Sequence, residues 1–154
     1  MNHPIIATCR RTTDGAIARL NRIPYSLLAL IARAATFSVF WRAGTQKLSD
    51  WSGTLYLFAN EYHVPLLAPD VAATMAASME ISGSTLVLLG LFTRPAAVAL
   101  LGMVGVIQIF VYPMAWPDHI QWLAFMSILI ARGPGAVSLD HVLGRLTRGA
   151  MARA

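Results

Sequence analysis

The feature that most constrains this chain is a pair of long apolar stretches, each with a charged residue near its middle. Glu80 is the only charged residue between Val71 and Leu91, and Arg33 lies midway along the stretch from Pro24 to Gly44. Each stretch has the roughly 20 residues that a helix needs to cross a bilayer. A charge at bilayer depth usually faces a protein interior or a water-filled cavity, because exposing it to lipid is costly. The pattern therefore predicts a small membrane bundle with a polar site inside it.

The composition supports a membrane protein. The chain has 154 residues, of which 56% are hydrophobic and only 12% charged, whereas a soluble domain has about 25% charged residues. The isoelectric point near 10.1 does not indicate nucleic-acid binding, because the basic residues cluster beside apolar segments as membrane topology requires. The single cysteine, Cys9, excludes an intrachain disulfide, and no histidine or carboxylate spacing resembles a metal motif. We therefore predict no metal site.

Apolar length and turn residues predict an all-α fold, an integral membrane four-helix bundle. The four predicted spans are Pro24–Gly44, Asp70–Leu91, Pro95–Tyr112 and Asp118–Ala131. The last two are short, which favours a thin or tilted arrangement. Two further helices are predicted: a short one over Thr54–Tyr62 on the outer surface, and an amphipathic one over Ser138–Arg148 at the cytoplasmic interface. Ser138 is a suitable N-cap for the second of these.

The basic residues are distributed very unevenly between the two predicted sides of the membrane. Nine lie on one side: Arg10, Arg11, Arg19, Arg22, Arg94, Arg132, Arg145, Arg148 and Arg153. Lys47 is the only one in the opposite loops. The positive-inside rule then places both termini in the cytoplasm. The predicted organisation is a cytoplasmic tail over 1–23, a four-helix domain over 24–133 and a cytoplasmic amphipathic tail over 134–154, in a multi-pass protein of the bacterial inner membrane.

The candidate site follows from depth. At about 1.5 Å per residue, Arg33 and Glu80 lie at similar heights, so we expect them to pair inside the bundle. The pair could serve only to fix helix register, or it could be a proton or substrate site; the sequence leaves both readings open. Above it we expect an outward-opening polar pocket bounded by Lys47, Gln108 and Trp122. The alternative for Gln108 and Trp122 is that they only hold helices together.

Five short motifs follow one another at spacings that resemble the DoxX family. After Arg33 these are Gly44-Thr45-Gln46-Lys47-Leu48, Glu80-Ile81-Ser82-Gly83, Gly90-Leu91-Phe92-Thr93-Arg94, Gly133-Pro134-Gly135 and Ser138-Leu139-Asp140. The resemblance covers about Leu27 to Asp140. It implies a small four-helix inner-membrane protein, and the members that gave the family its name look like subunits of quinone-linked sulfur-oxidising enzymes. Family resemblance is a stronger guide to fold than to chemistry.

Two classes of function remain open on this basis. In the first, the chain is a membrane subunit of a quinone-linked oxidoreductase, and Arg33, Glu80 and Lys47 bind a quinone head group or carry its protons. No redox centre is encoded, so electrons would come from a partner subunit or a bound quinol. In the second, the chain is a non-enzymatic membrane anchor or stress-response scaffold. A small-solute permease working as a homo-oligomer is a third alternative.

Overall fold

The computed structural model describes residues 10, 13–15, 17–62 and 64–151, and the regular structure in these ranges is helical. From Tyr25 onward there are six helices: α1 (Tyr25–Ser49), α2 (Trp51–Asn60), α3 (Pro69–Leu89), α4 (Thr93–Val106), α5 (Trp116–Arg132) and α6 (Leu139–Met151). A π-helical turn, Ile107–Val111, continues α4. Much of the predicted N-terminal tail, including Cys9, lies outside the described residues.

The four longer helices pack around a shared apolar core. Helix α1 contacts α3 and α5, and α4 contacts the same two helices. Leu100, Met126 and Leu129 are fully buried between them. Small residues in α1 and α3 allow these two helices to approach closely. At Gly44, a Cβ atom would lie 2.8 Å from Ile81 Cδ1 and 3.1 Å from Glu80 Cβ, so α1 and α3 approach closely at this glycine.

The bundle has two chemically different ends. At the Arg94 end, α1 begins, α3 turns into α4, α5 ends and α6 begins. At the Lys47 end, α1 ends and α2 begins. Helix α1 continues to Ser49, five residues beyond the predicted end at Gly44. The predicted apolar span is shorter than the helix, because Gly44 lies inside the helix and packs against α3. Lys47 is consequently a helical residue and not part of the loop.

Within the described residues, three helical segments are long and apolar enough to cross a membrane: Tyr25–Ser49, Pro69–Leu89 and Thr93–Val111. Helix α5 has 17 residues, which gives a length of about 25 Å, somewhat less than the roughly 30 Å of a typical hydrocarbon core. Large apolar side chains project from the outer surface of the bundle, among them Ile31, Met75 and Val98. The apolar helices therefore contact a lipid bilayer.

Local capping interactions explain where the two remaining helices, α2 and α6, begin. Asp50 caps α2, because its Oδ1 accepts a hydrogen bond from the Gly53 backbone N–H at 2.9 Å. Phe58 of α2 packs against Ala72 and Ala73 of α3. Ser138 Oγ accepts a hydrogen bond from the His141 backbone N–H, as the sequence predicts for an N-cap. The location of α2 on the outer surface and of α6 at the cytoplasmic interface remains a prediction.

Candidate functional site

A buried ion pair joins α1 to α3 near the Lys47 end. Glu80 is only 2% exposed, and its Oε1 accepts a hydrogen bond from Lys47 Nζ at 2.7 Å. Helices α1 and α3 approach closely at Gly44, one turn from Lys47, and this brings the Lys47 and Glu80 side chains together. The second carboxylate oxygen, Oε2, is buried and has no hydrogen-bond partner among the described residues. Since a buried carboxylate oxygen without a partner is costly, this oxygen is the most unusual polar atom in the bundle.

Lys47 also lines a cavity between α1 and α2. The cavity has a volume of about 510 Å³. Tyr62 and Tyr112 line it as well, and their hydroxyl groups are hydrogen-bonded to each other at 2.7 Å. Burial and, to a smaller extent, this hydrogen bond raise the pKa of Tyr62. The cavity therefore combines the Lys47 ammonium with phenolic hydroxyls and with the Asp50 carboxylate, which caps α2.

Arg33 does not pair with Glu80, so the predicted ion pair is wrong. The guanidinium donates hydrogen bonds to backbone carbonyls instead. Its Nε donates to Val87 O at 2.9 Å and its Nη2 to Leu88 O, while Nη1 donates to Val137 O and, at 3.4 Å, to Pro134 O. Both residues are buried, but they lie at different depths, because Arg33 is level with Val87, about 10 Å along α3 from Glu80. Their partners depend on the rotation of each helix, which depth alone does not determine.

Arg33 thereby stabilises the C-terminal end of α3. The last carbonyls of a helix lack intrahelical partners and carry partial negative charge. A buried guanidinium with planar, forked donors suits several such carbonyls at once. The same side chain holds the segment between α5 and α6 through Pro134 and Val137. Arg33 is therefore a structural cation at the Arg94 end of the bundle.

The predicted ring around the pocket is only partly present. The cavity that Lys47 lines includes neither Gln108 nor Trp122. Gln108 lies in the π-helical turn, where its Nε2 donates to Pro113 O at 2.7 Å and its Oε1 lies 2.6 Å from His119 Nδ1. Trp122 packs edge-on against Phe40, with the ring centroids 5.7 Å apart. Both residues hold helices together, which is the alternative that the sequence left open.

Sequence reasoning missed the tyrosines of the cavity. Tyr62 and Tyr112 are 50 positions apart in the sequence, and neither was predicted to lie at the site. One signal was available for Tyr62, which shares a helical face with Leu55 and Phe58. No comparable pattern links Tyr112 to it, because their contact depends on how the chain packs where α4 ends.

A second group of motif residues converges at the Arg94 end. The Asp140 side chain accepts hydrogen bonds from the backbone N–H groups of Phe92 and Thr93, at 2.8 and 3.0 Å, and from the Thr93 hydroxyl at 2.9 Å. The Asp140 N–H in turn donates to Gly90 O at 2.8 Å. Asp140, in the first turn of α6, thus caps the start of α4. Sequence analysis assigned no role to this carboxylate.

Comparison with known proteins shows to which family the chain belongs. The DoxX family model matches residues 28–113. The chain belongs to the DoxX family. In this DoxX protein the matched region contains Arg33, Lys47, Glu80 and the turn at Gly90. The chain is also 34% identical to the inner membrane protein YphA of Escherichia coli (strain K12) over 128 residues, which cover 75% of this chain and 89% of YphA. No solved structure gives a significant match.

Proposed function

We propose that this DoxX protein is a four-helix subunit of the bacterial inner membrane that serves a quinone-linked oxidoreductase system. The observation that carries the proposal is the Lys47–Glu80 pair, in which a buried carboxylate keeps one oxygen unpartnered among the described residues. Similarity to YphA, itself named as an inner membrane protein, supports the location. Family resemblance supports the link to quinones.

The chemistry of the cavity fits a quinone head group. A quinone presents two carbonyl oxygens that accept hydrogen bonds. The cavity offers the Lys47 ammonium and one hydroxyl of the Tyr62–Tyr112 pair as donors, because the other hydroxyl donates within the pair. When bound, a quinone supplies two-electron, two-proton chemistry. Lys47 would orient the head group, and Glu80 would hold the ammonium in place behind it. Their direct contact also gives a route by which a proton could pass between the cavity and the buried carboxylate.

A non-enzymatic anchor or scaffold is the second candidate, and the environment of Arg33 favours it. One of the two buried charges that suggested chemistry is saturated by backbone carbonyls. The Lys47–Glu80 pair could likewise only fix the register of α1 against α3, since a buried polar pair can serve specificity alone. An experiment therefore has to separate ligand binding from stability.

The test is the quinone content of purified protein, measured by chromatography of the extracted lipid. We expect the wild type to retain quinone and both Lys47→Met and Tyr62→Phe to lose most of it. Tyr62→Phe removes one hydroxyl and leaves the ring packing against Phe58 and Tyr112 intact. Arg42→Gln is the matched control, because Arg42 is an exposed cation of the same helix as Lys47.

The decisive variant replaces both members of the pair, Lys47→Met with Glu80→Leu, and so removes the charges together. If this double variant is as stable as the wild type but has lost its quinone, the site binds a ligand. If it is stable and retains the wild-type quinone content, the proposal is wrong. If the wild type itself carries no quinone and a partner protein copurifies equally with all variants, the protein is a non-enzymatic scaffold.

A further inference from the structure

A second cavity, at the Arg94 end, has no part in the site described above. Its volume is about 710 Å³. It lies where α1 begins, α3 turns into α4 and α5 ends, and α6 closes its side. Three arginines, Arg94, Arg132 and Arg148, line it from three different helices. The sequence alone does not predict that these three arginines lie together, because they come from distant parts of the chain.

The three arginines are not neutralised within the described part of the chain. None of them has a carboxylate within ion-pair distance there. Arg94 donates weakly to Ala131 O at 3.4 Å, and the Arg132 guanidinium stacks on the Tyr25 ring at 4.4 Å from its centroid. Arg148 Nε donates to Gly144 O within its own helical turn at 2.8 Å. Each guanidinium therefore keeps most of its donors free for an anion.

Asp140 is the acidic residue in the cavity lining, and its carboxylate is already engaged. Both its oxygens accept hydrogen bonds from the first residues of α4. The start of a helix carries partial positive charge, which offsets the negative charge of a capping carboxylate. The cavity is thus positive overall, with the charge concentrated on the guanidinium groups.

The surroundings are apolar and face the membrane boundary. Phe92, which lines the cavity, is 65% exposed. Helix α6 has a continuous exposed apolar face formed by Leu139, Val142, Leu143 and Leu146. Such a helix lies with its apolar face in the interfacial region of a bilayer. The cavity would then open at the depth of the lipid phosphates, next to apolar surface on which an acyl chain could pack.

We propose that this cavity binds the phosphate group of an anionic membrane phospholipid. Arginine is suited to phosphate because its planar fork donates two parallel hydrogen bonds. Basic pockets between membrane helices bind anionic head groups in this way. A soluble phosphate shares the same recognition chemistry, but the exposed Phe92 and the apolar face of α6 favour a ligand with an acyl chain. The site is independent of the Lys47–Glu80 pair, which lies at the other end of the bundle.

The test is lipid binding to the delipidated full chain in detergent, measured by native mass spectrometry. Phosphatidylglycerol is compared with phosphatidylcholine, whose choline group would meet the arginines unfavourably. We expect phosphatidylglycerol to bind more tightly to the wild type. Because one arginine near a membrane surface is worth about a fivefold change in affinity, Arg148→Gln should weaken phosphatidylglycerol binding about fivefold. Adding Arg132→Gln should weaken it about fivefold more.

Arg145→Gln is the matched control, because it removes the same charge from the same helix outside the cavity. Arg148→Gln should unfold at the wild-type temperature without lipid, since its contact is local to one turn. Equal binding of the two lipids by the wild type, or equal losses in Arg145→Gln and Arg148→Gln, would overturn the proposal. Inorganic phosphate is the remaining probe. If it binds in an Arg148-dependent way while phosphatidylglycerol shows no preference, the lipid assignment is wrong and the ligand is soluble.

Discussion

At the scale of single residues, the two buried charges illustrate two ways in which a membrane bundle accommodates an ion. Glu80 has a side-chain partner, Lys47, that reaches it from the end of α1. Arg33 has no carboxylate partner in the described part of the chain and relies on carbonyl oxygens of α3 and of the 134–137 segment. Substitutions at the two sites should therefore change the free energy of unfolding independently, and each site should tolerate different replacements.

The Lys47–Glu80 pair should be asymmetric in its response to substitution. Lys47→Met leaves the carboxylate buried without a counter-charge, and removing one partner of a buried pair typically costs about 3–5 kcal/mol. Glu80→Gln should cost less, because the Lys47 side chain is 22% exposed and can extend its ammonium toward water. Thermal unfolding in detergent should rank the variants in this order. A larger loss for Glu80→Gln than for Lys47→Met would contradict the asymmetry.

Arg33 should not tolerate even the conservative replacement by lysine. Lysine keeps the charge but lacks the planar fork that reaches the carbonyls of Val87, Leu88 and Val137 together. Each buried carbonyl left without a donor costs about 1–3 kcal/mol, so we expect Arg33→Lys to lose at least about 2 kcal/mol of unfolding free energy. Arg42→Lys, at an exposed position of the same helix, should be nearly neutral. Equal effects at the two positions would show that the carbonyl contacts contribute little.

The sequence was sufficient to identify Arg33, Lys47 and Glu80 as polar residues of the bundle, but not to pair them. Arg33 and Glu80 were matched by depth, and the structure places Arg33 near Val87, about 10 Å further along α3 than Glu80. The error had two causes. Helix α1 runs past Gly44, which brings Lys47 into the helix. The rotation of α1 about its own axis is set by packing at Gly44 against Ile81, a contact that no local pattern specifies.

At the scale of helices, most bounds were predictable because prolines and glycines mark them. Pro69 begins α3 and Gly90, with a φ of +67°, ends it. Helix α6 begins at Leu139 directly after its Ser138 cap. The unpredicted feature is the cap of α4, which comes from Asp140, 47 residues beyond Thr93. A cap supplied from another helix has no signature in the residues that precede the capped helix.

The close approach at the end of α3 can be tested by comparing two glycine substitutions, one there and one inside α4. A Cβ at Gly90 would lie 2.5 Å from Ser138 Cβ and 3.0 Å from the Arg33 guanidinium, at a positive φ that side chains rarely adopt. Gly90→Ala should therefore destabilise the protein by more than about 1 kcal/mol. Gly102 lies inside α4 with open space around it, so Gly102→Ala should stabilise the helix by about 0.5–1 kcal/mol. Opposite signs in thermal unfolding are expected, and a tolerated Gly90→Ala would contradict the close approach.

The Asp140 cap gives the second test at this scale. Asp140→Ala removes the acceptors of two backbone N–H groups at the start of α4, and loss of a cap typically costs about 1 kcal/mol. Amide hydrogen exchange should accelerate at Phe92 and Thr93 in particular. Asp118→Ala is the control, because Asp118 lies in the first turn of α5 and has no such role across helices. Unchanged exchange at Phe92 and Thr93 in Asp140→Ala would exclude the cap.

At the scale of the whole molecule, the DoxX motifs separate into two groups at opposite ends of the bundle. The first group stabilises the Arg94 end and consists of Arg33, the Gly90 turn, Gly133-Pro134-Gly135 and Asp140. Gly44, Lys47 and Glu80 form the ion pair beside the cavity at the other end. Under the proposed function, the first group maintains the fold and the second group binds the ligand.

The last prediction concerns how the molecule crosses the membrane. Three segments are long and apolar enough to span it, and α5 is shorter, yet α5 packs against both α1 and α4. A helix shorter than the hydrocarbon core is accommodated by local thinning of the bilayer or by flanking residues that reach the interface, and Arg132 and Trp116 stand at its two ends. We therefore expect four crossings, with the Arg94 end in the cytoplasm because it collects the arginines. Reporter fusions after Arg94 and after Ala154 should read cytoplasmic, and one after Glu61 periplasmic. A periplasmic signal after Ala154 would mean that α5 does not cross, and a reversed pattern at all three positions would overturn the orientation.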